Sequence, residues 1–187
     1  MLQVVPGSPA ERLADRNLFF LDEPQFKRND YSQFEPTGRA FAQRVASAVA
    51  AFTASFMLGI GDRHQGNIFL ASNGCVLHID FAYAFGEMTR IFDAVNFPVP
   101  WGLVNMMKQN EVWGDFKKMC WKAKNTLSMY ESQINHVLQQ LVFSPQFVKN
   151  ATDYFRNAAA MDETDFSLLI ERGQYYKLPK DGIHLLC

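Results

Sequence analysis

The sequence predicts an α+β fold, mainly α-helical, on three observations. From Arg39 onward, Phe41, Val45, Val49, Phe52 and Phe56 recur every three or four residues, the period of a helix with one apolar stripe. Beyond Trp101 helical patterning returns in several segments, while β-prone residues gather in two short runs on either side of Asn73-Gly74. At 187 residues, with 48% hydrophobic and 20% charged, the chain can bury a full core as one domain.

Residues 1–38 hold Pro6, Gly7, Pro9, Pro24, Pro36 and Gly38 between polar and charged residues, so this segment is expected to be loop-rich, with helix around Pro9 to Asn17 at most. The helix from Arg39 is favoured by six alanines between Ala40 and Ala51. Val45 to Gly61 runs uncharged for seventeen residues, the lower edge of a membrane-spanning length. Ser47, Thr53, Ser55, the alanines and the polar loop that follows make a buried core helix the better reading. Gly59 and Gly61 are expected to end it.

Ile68-Phe69-Leu70 and Cys75 to Ile79 then form the two arms of a predicted hairpin about Asn73-Gly74, with Asn67 at its entry and Asp80 at its exit. Ala82 to Pro100 lacks a period and reads as an extended loop. Helices are predicted over 101–108, 112–127, 131–142, 145–159 and 162–171, with Ser144 before Pro145 as a helix start. The expected organisation is a loop-rich segment at 1–38, a folded lobe at 39–172 and an unassigned tail at 173–187. Met1-Leu2-Gln3 lacks the charged start and apolar run of a signal peptide.

The most specific stretch is Gly61-Asp62-Arg63-His64-Gln65-Gly66-Asn67, followed thirteen residues after Asn67 by Asp80 in His78-Ile79-Asp80-Phe81. Protein kinases place a catalytic-loop Asp five residues before a metal-binding Asn, with a second metal-binding Asp opening a later Asp-Phe-Gly. Asp62 and Asn67 reproduce that step, and Asp80-Phe81 supplies the second half. Taken singly, each of these polar residues suits a turn equally well. Their combination carries the signal.

Met57 to Asn67, joined to His78-Ile79-Asp80-Phe81, closely resembles the phosphatidylinositol 3- and 4-kinase superfamily, which includes related large protein kinases. The resemblance is read as strong from Arg39 to Arg90, weaker through the helical remainder and negligible before Gly38. It implies a protein-kinase-like C-terminal lobe with a catalytic-loop β-hairpin, and ATP-dependent phosphorylation of an inositol lipid or a protein Ser/Thr. It further implies that Asp80 and Asn67 bind Mg²⁺ (or Mn²⁺) and the ATP phosphates, and that Asp62 and His64 orient and deprotonate the acceptor hydroxyl. Which of those two is the base stays open. Arg63 is read as a brace on a carboxylate or loop carbonyl, His78 as a hydrogen-bonded core residue, and Phe69, Leu70, Phe81 and Phe85 as core.

Two departures qualify the resemblance. Ala82 stands where Gly usually follows Asp-Phe, and its Cβ narrows the backbone choices of the loop. No glycine-rich phosphate loop and no strand lysine precede Asp62, so the adenine pocket is expected to need an N-terminal lobe or a partner chain. A non-catalytic pseudokinase-like interaction module is the alternative. Within 82–100, Arg90 is the sole basic residue against Glu87 and Asp93, which disfavours a polyphosphorylated headgroup. The net charge of −1 gives no support to nucleic-acid binding. Three scattered cysteines, Cys75, Cys120 and Cys187, suit a reducing, intracellular and cytoplasmic setting, with peripheral membrane contact left open.

Overall fold

The computed structural model describes residues 8–9, 38–63, 67–70, 75–86, 97–140 and 144–173. Six helices dominate: α1 (Arg39–Met57), α2 (Trp101–Gln109), α3 (Trp113–Ser128), α4 (Glu131–Gln140), α5 (Pro145–Ala160) and α6 (Glu163–Gly173). Three short strands, β1 (Ser8–Pro9), β2 (Ile68–Leu70) and β3 (Val76–His78), form an antiparallel sheet in the order β1-β2-β3. The fold is therefore mainly helical, as its periodicity predicts. Strand β1 was not foreseen: Ser8 and Pro9, in the segment read as loop, pair with Leu70 and Phe69. Proline cannot donate to a ladder and within sheets is confined to edge strands such as this one, first in the order of the sheet. The rest of the helix suggested for 10–17 lies outside the described residues, as does the tail beyond 173.

Helix α1 is the centre of the molecule, packing against α3, α5 and β3. Its stripe of Phe41, Val45, Val49, Phe52 and Phe56 is buried, together with Ala48 and Met57. The helix is thus shielded by protein on its apolar face, and no helix of the described residues is long and apolar enough to cross a membrane. Around it Phe97 meets Phe52, Phe56 and Phe166 at ring-centroid distances of 6.0, 6.2 and 5.7 Å. These contacts tie α6 and the segment before α2 to α1. Burial of rings of this size is the main source of stability here.

Buried polar groups complete the packing. Arg44 is buried on α1 with Nη1 3.7 Å from Met106 Sδ, and desolvation lowers its guanidinium to about 10. Lys124, buried on α3, donates from Nζ to the carbonyls of Ala159 and Met161 and lies 4.7 Å over the Trp121 ring. It thereby satisfies carbonyls left open at the end of α5. At the other end of α5, Ser144 Oγ accepts from Phe147 N at 3.2 Å and Pro145 occupies the first turn. Trp113 Nε1 and Lys117 Nζ both donate to Glu171, joining α3 to α6.

Candidate functional site

The site begins where α1 stops. Gly59, at φ +57°, turns the chain, and Ile60 N donates back to Ser55 O at 2.8 Å. Gly61, expected with Gly59 to end the helix, does not take the left-handed conformation; Asp62 does, at φ +56°. Asp80 has the same φ, +56°, and Phe85 follows at +57°. Aspartate is among the few non-glycine residues that enter this region at modest strain, whereas for Phe85 it is a true outlier. Such conformations persist only when the surroundings over-determine them.

Arg63 supplies that constraint. It is 3% exposed, and its planar fork donates from Nε to Gly61 O at 2.8 Å, from Nη1 to Ile79 O at 2.6 Å, and from Nη2 to Asp80 O. Its guanidinium carbon also lies 5.5 Å from the Phe81 ring centroid. One side chain therefore fastens the backbone beside Asp62 to the backbone of Asp80. The brace engages carbonyls of the loops, one of the two roles expected of it.

Asn67 completes the link. Its Nδ2 donates to Asp62 O at 2.9 Å, and its own carbonyl accepts from Ile79 N at 3.0 Å. That bond continues the β2–β3 ladder, in which Ile68 faces His78, Phe69 faces Leu77 and Leu70 faces Val76. Residues 71–74, which join the two strands, lie outside the described residues. Asn67 and Asp80 thus stand at the same end of the ladder. Asn67 is 6% exposed while Asp80 is open to solvent, with Oδ1 accepting from Ala82 N at 3.3 Å.

His64 falls within 64–66, outside the described residues, and so do Glu87, Arg90 and Asp93. His78 is seated as a core group: Nδ1 lies 2.7 Å from Ser55 Oγ, and its ring meets Phe52 edge-on at 4.9 Å. Burial, with the Arg63 charge second, lowers its pKa to about 3, so the imidazole is neutral. Its Nε2 is buried with no hydrogen-bond partner among the described residues.

The core assignment fails at Phe81, which is 55% exposed. It follows a left-handed residue whose side of the ladder is open, and its ring lies against Arg63 rather than the apolar core. Phe85 is half-buried, meeting Phe147 of α5 edge-on at 5.8 Å, while the side chains of Phe69 and Leu70 lie outside the described residues. Tyr154 was missed altogether. Its hydroxyl donates to Phe56 O at 3.0 Å across ninety-eight residues of sequence, and no local pattern announces such a contact.

The donor set fits a hard divalent cation. With Nδ2 committed to Asp62 O, Asn67 keeps its amide oxygen as an acceptor, and Asp80 offers a carboxylate. Mg²⁺ is usually held by one or two protein oxygens, with waters and substrate phosphates completing six-fold coordination. The described residues contain no larger cluster of His, Cys, Asp and Glu of metal-binding kind.

Comparison with known proteins matches residues 18–149 to the family of phosphatidylinositol 3- and 4-kinases. The match begins upstream of Gly38, so the likeness reaches further toward the N-terminus than the motif itself suggests. The phosphatidylinositol 3-kinase VPS34 of Arabidopsis thaliana is 28% identical over 134 residues, covering 68% of this chain and 16% of that protein. The root isoform of phosphatidylinositol 3-kinase from Glycine max is 27% identical over the same length, with the same 68% and 16% coverage. The serine/threonine-protein kinase ATM of Drosophila melanogaster is 28% identical over 156 residues, covering 80% of this chain and 6% of that protein. The chain therefore spans about a sixth, 16%, of the length of the plant relatives and less of the fly one.

Proposed function

Because this chain belongs to the phosphatidylinositol 3- and 4-kinase family, we propose that it supplies the catalytic-loop side of a phosphotransferase that moves the γ-phosphoryl group of ATP to an alcohol. The supporting observation is the joint bracing of Asp62, Asn67 and Asp80. Arg63 holds Gly61 and Asp80 by their carbonyls while Asn67 holds Asp62 by its own. Phosphoryl transfer asks a protein mainly for position and charge neutralisation, and that is what rigidly presented oxygens offer.

In this reading Asp80 and Asn67 hold the cation, Mg²⁺ or Mn²⁺, which neutralises charge on the ATP phosphates when bound. Asp62 orients the acceptor hydroxyl, and either Asp62 or His64 takes its proton. The acceptor is an inositol lipid or a protein Ser/Thr, the two classes named among the relatives. The charge balance of 82–100 argues against a bisphosphorylated lipid. The phosphate-clamping glycine loop and lysine are to come from polypeptide outside residues 1–187, and the setting is intracellular, with contact to membrane surfaces if the acceptor is a lipid.

Calorimetric titration with Mg²⁺-ATP, beside a circular-dichroism melt, tests the metal assignment. Asp80→Asn should remove most metal-dependent nucleotide binding and leave the melt unchanged. Equal affinity in the two proteins would sink it, and absence of binding in both, with the clamping loop and lysine present, would favour a non-catalytic interaction module. Labelled ATP offered with a lipid panel and a protein fraction identifies the acceptor, and His64→Ala or Asp62→Ala should abolish the label.

A further inference from the structure

The segments that enter and leave the site are zipped to each other. Phe85 N donates to Leu58 O at 2.7 Å, Gly86 N to Gly59 O at 3.0 Å, and Gly61 N to Tyr83 O at 3.0 Å. Residues 58–61 lead directly into Asp62, and residues 83–86 follow Asp80 by three positions. The zipper therefore ties the segments of the two aspartates to each other, in addition to the Arg63 fork.

Helix α5 closes over this zipper. Tyr154 donates its hydroxyl to Phe56 O, the carbonyl that also accepts from Gly59 N. Its ring occupies the space that a side chain would need on either glycine. A Cβ on Gly59 would stand 2.7 Å from the Tyr154 ring, and one on Gly86 2.6 Å from it. Both glycines are left-handed, at φ +57° and +78°. The close approach thus requires glycine twice, once for conformation and once for space. Phe147, two turns earlier on α5, presses edge-on against Phe85. Burial pushes the Tyr154 phenol up to about 12, so at neutral pH it remains a donor.

We propose that Tyr154 is a positioning residue for the phosphotransfer site, locking the segment that carries Asp62 to the segment that follows Asp80. Its geometry stands alone, and its consequence for turnover rests on the function proposed above. Neither Asp62 nor Asp80 can relax from its left-handed backbone while both segments are pinned between Tyr154 and the end of α1. A cleft of about 450 Å³ lined by Phe85, Gly86, Phe147, Asn150, Asp153 and Tyr154 lies beside the clamp. Asn150 therefore serves as a neighbouring control that touches the cleft and not the zipper.

Hydrogen exchange and steady-state kinetics on Tyr154→Phe, in the full protein that carries this chain, test the proposal. The variant removes one oxygen and keeps the ring. Exchange at the Phe85 and Gly86 amides should rise about tenfold, near the upper end of what one intramolecular hydrogen bond contributes, while amides in α3 keep their rates. Turnover should fall by a similar factor, with KM for Mg²⁺-ATP unchanged. Asn150→Ala should change neither. Unchanged exchange at Phe85 and Gly86 would overturn the clamp, and exchange raised across α3 as well would reduce Tyr154 to a general packing residue. Raised local exchange with unaltered turnover would overturn the positioning role. A wild-type protein without turnover would remove the phosphotransferase reading instead, and the exchange rates would then decide the clamp by themselves.

Discussion

Helix α5 and the loop from Leu58 to Gly86 are both fastened by hydrogen bonds to carbonyls and amides, but over different sequence distances. The start of α5 is secured by Ser144 reaching three residues to Phe147, and Lys149 pairs with Asp153 one turn along. The loop depends on Arg63 reaching sixteen and seventeen residues to Ile79 and Asp80, and on Tyr154 reaching ninety-eight to Phe56. Loss of a local bond frays one helix end, whereas loss of a distant one releases two segments at once. The helical body should therefore respond to mutation through stability, and the loop through geometry.

Phe52→Ala should give the largest loss of stability. The ring is buried among His78 and Phe97, and its removal should lower unfolding free energy by about 4 kcal/mol, read from urea melts. A loss near that of a surface change would show that α1 is not the centre of the core. Arg63→Lys sharpens the contrast from the other side. A lysine cannot reproduce the three-way fork, so stability should fall by about 2 kcal/mol, while turnover of the active protein should fall about a hundredfold through misplacement of the aspartates. Proportionate losses of stability and turnover in both variants would erase the distinction between body and loop.

Alkaline pH probes the body without changing its packing. Cys120 is fully buried on α3, and desolvation raises its thiol from 9.0 to about 12. The folded state retains a proton that the unfolded chain releases, so the stabilisation is complete below pH 9 and is lost as pH rises toward 12. Between pH 8 and pH 10 this costs about 1.4 kcal/mol, and Cys120→Ala should flatten that part of the stability curve. An identical slope in the variant would place the thiol in contact with solvent. Ser144→Ala should have the smallest effect, about 1 kcal/mol for a lost N-cap, with no change at the site. A turnover defect in Ser144→Ala would show that α5 transmits local fraying to the loop.

Much of the body was legible because its signals are local. The spacing of Phe41, Val45, Val49, Phe52 and Phe56 marks the buried face of α1, and Ser144-Pro145 marks the start of α5. The predicted helices 112–127 and 145–159 lie within one residue of Trp113–Ser128 and Pro145–Ala160 at each end. At the site, the spacing of Asp62, Asn67 and Asp80 pointed to residues that the fold does bring together. Their backbone conformation was not legible, since the left-handed residue is Asp62 and not the glycine beside it. The exposure of Phe81 and the reach of Tyr154 depend on partners distant in sequence, which no periodicity encodes. The same holds for the burial of Arg44 and Lys124, because the sulfur and carbonyls that receive their side chains are distant in sequence.

The ladder of β2 and β3 has a consequence for how this protein can vary in length. Asn67 and Asp80 are set by the open end of the ladder, where Ile79 meets Asn67, and the connection at 71–74 joins the strands at the other end. Residues added to that connection enlarge a closed loop by a small entropic increment and leave the registered pairs where they are. A residue added between His78 and Asp80 would shift Asp80 out of register with Asn67. Insertions should accordingly be tolerated at one end of the strands and excluded at the other, which makes 71–74 the place to graft a tag or reporter within reach of the site.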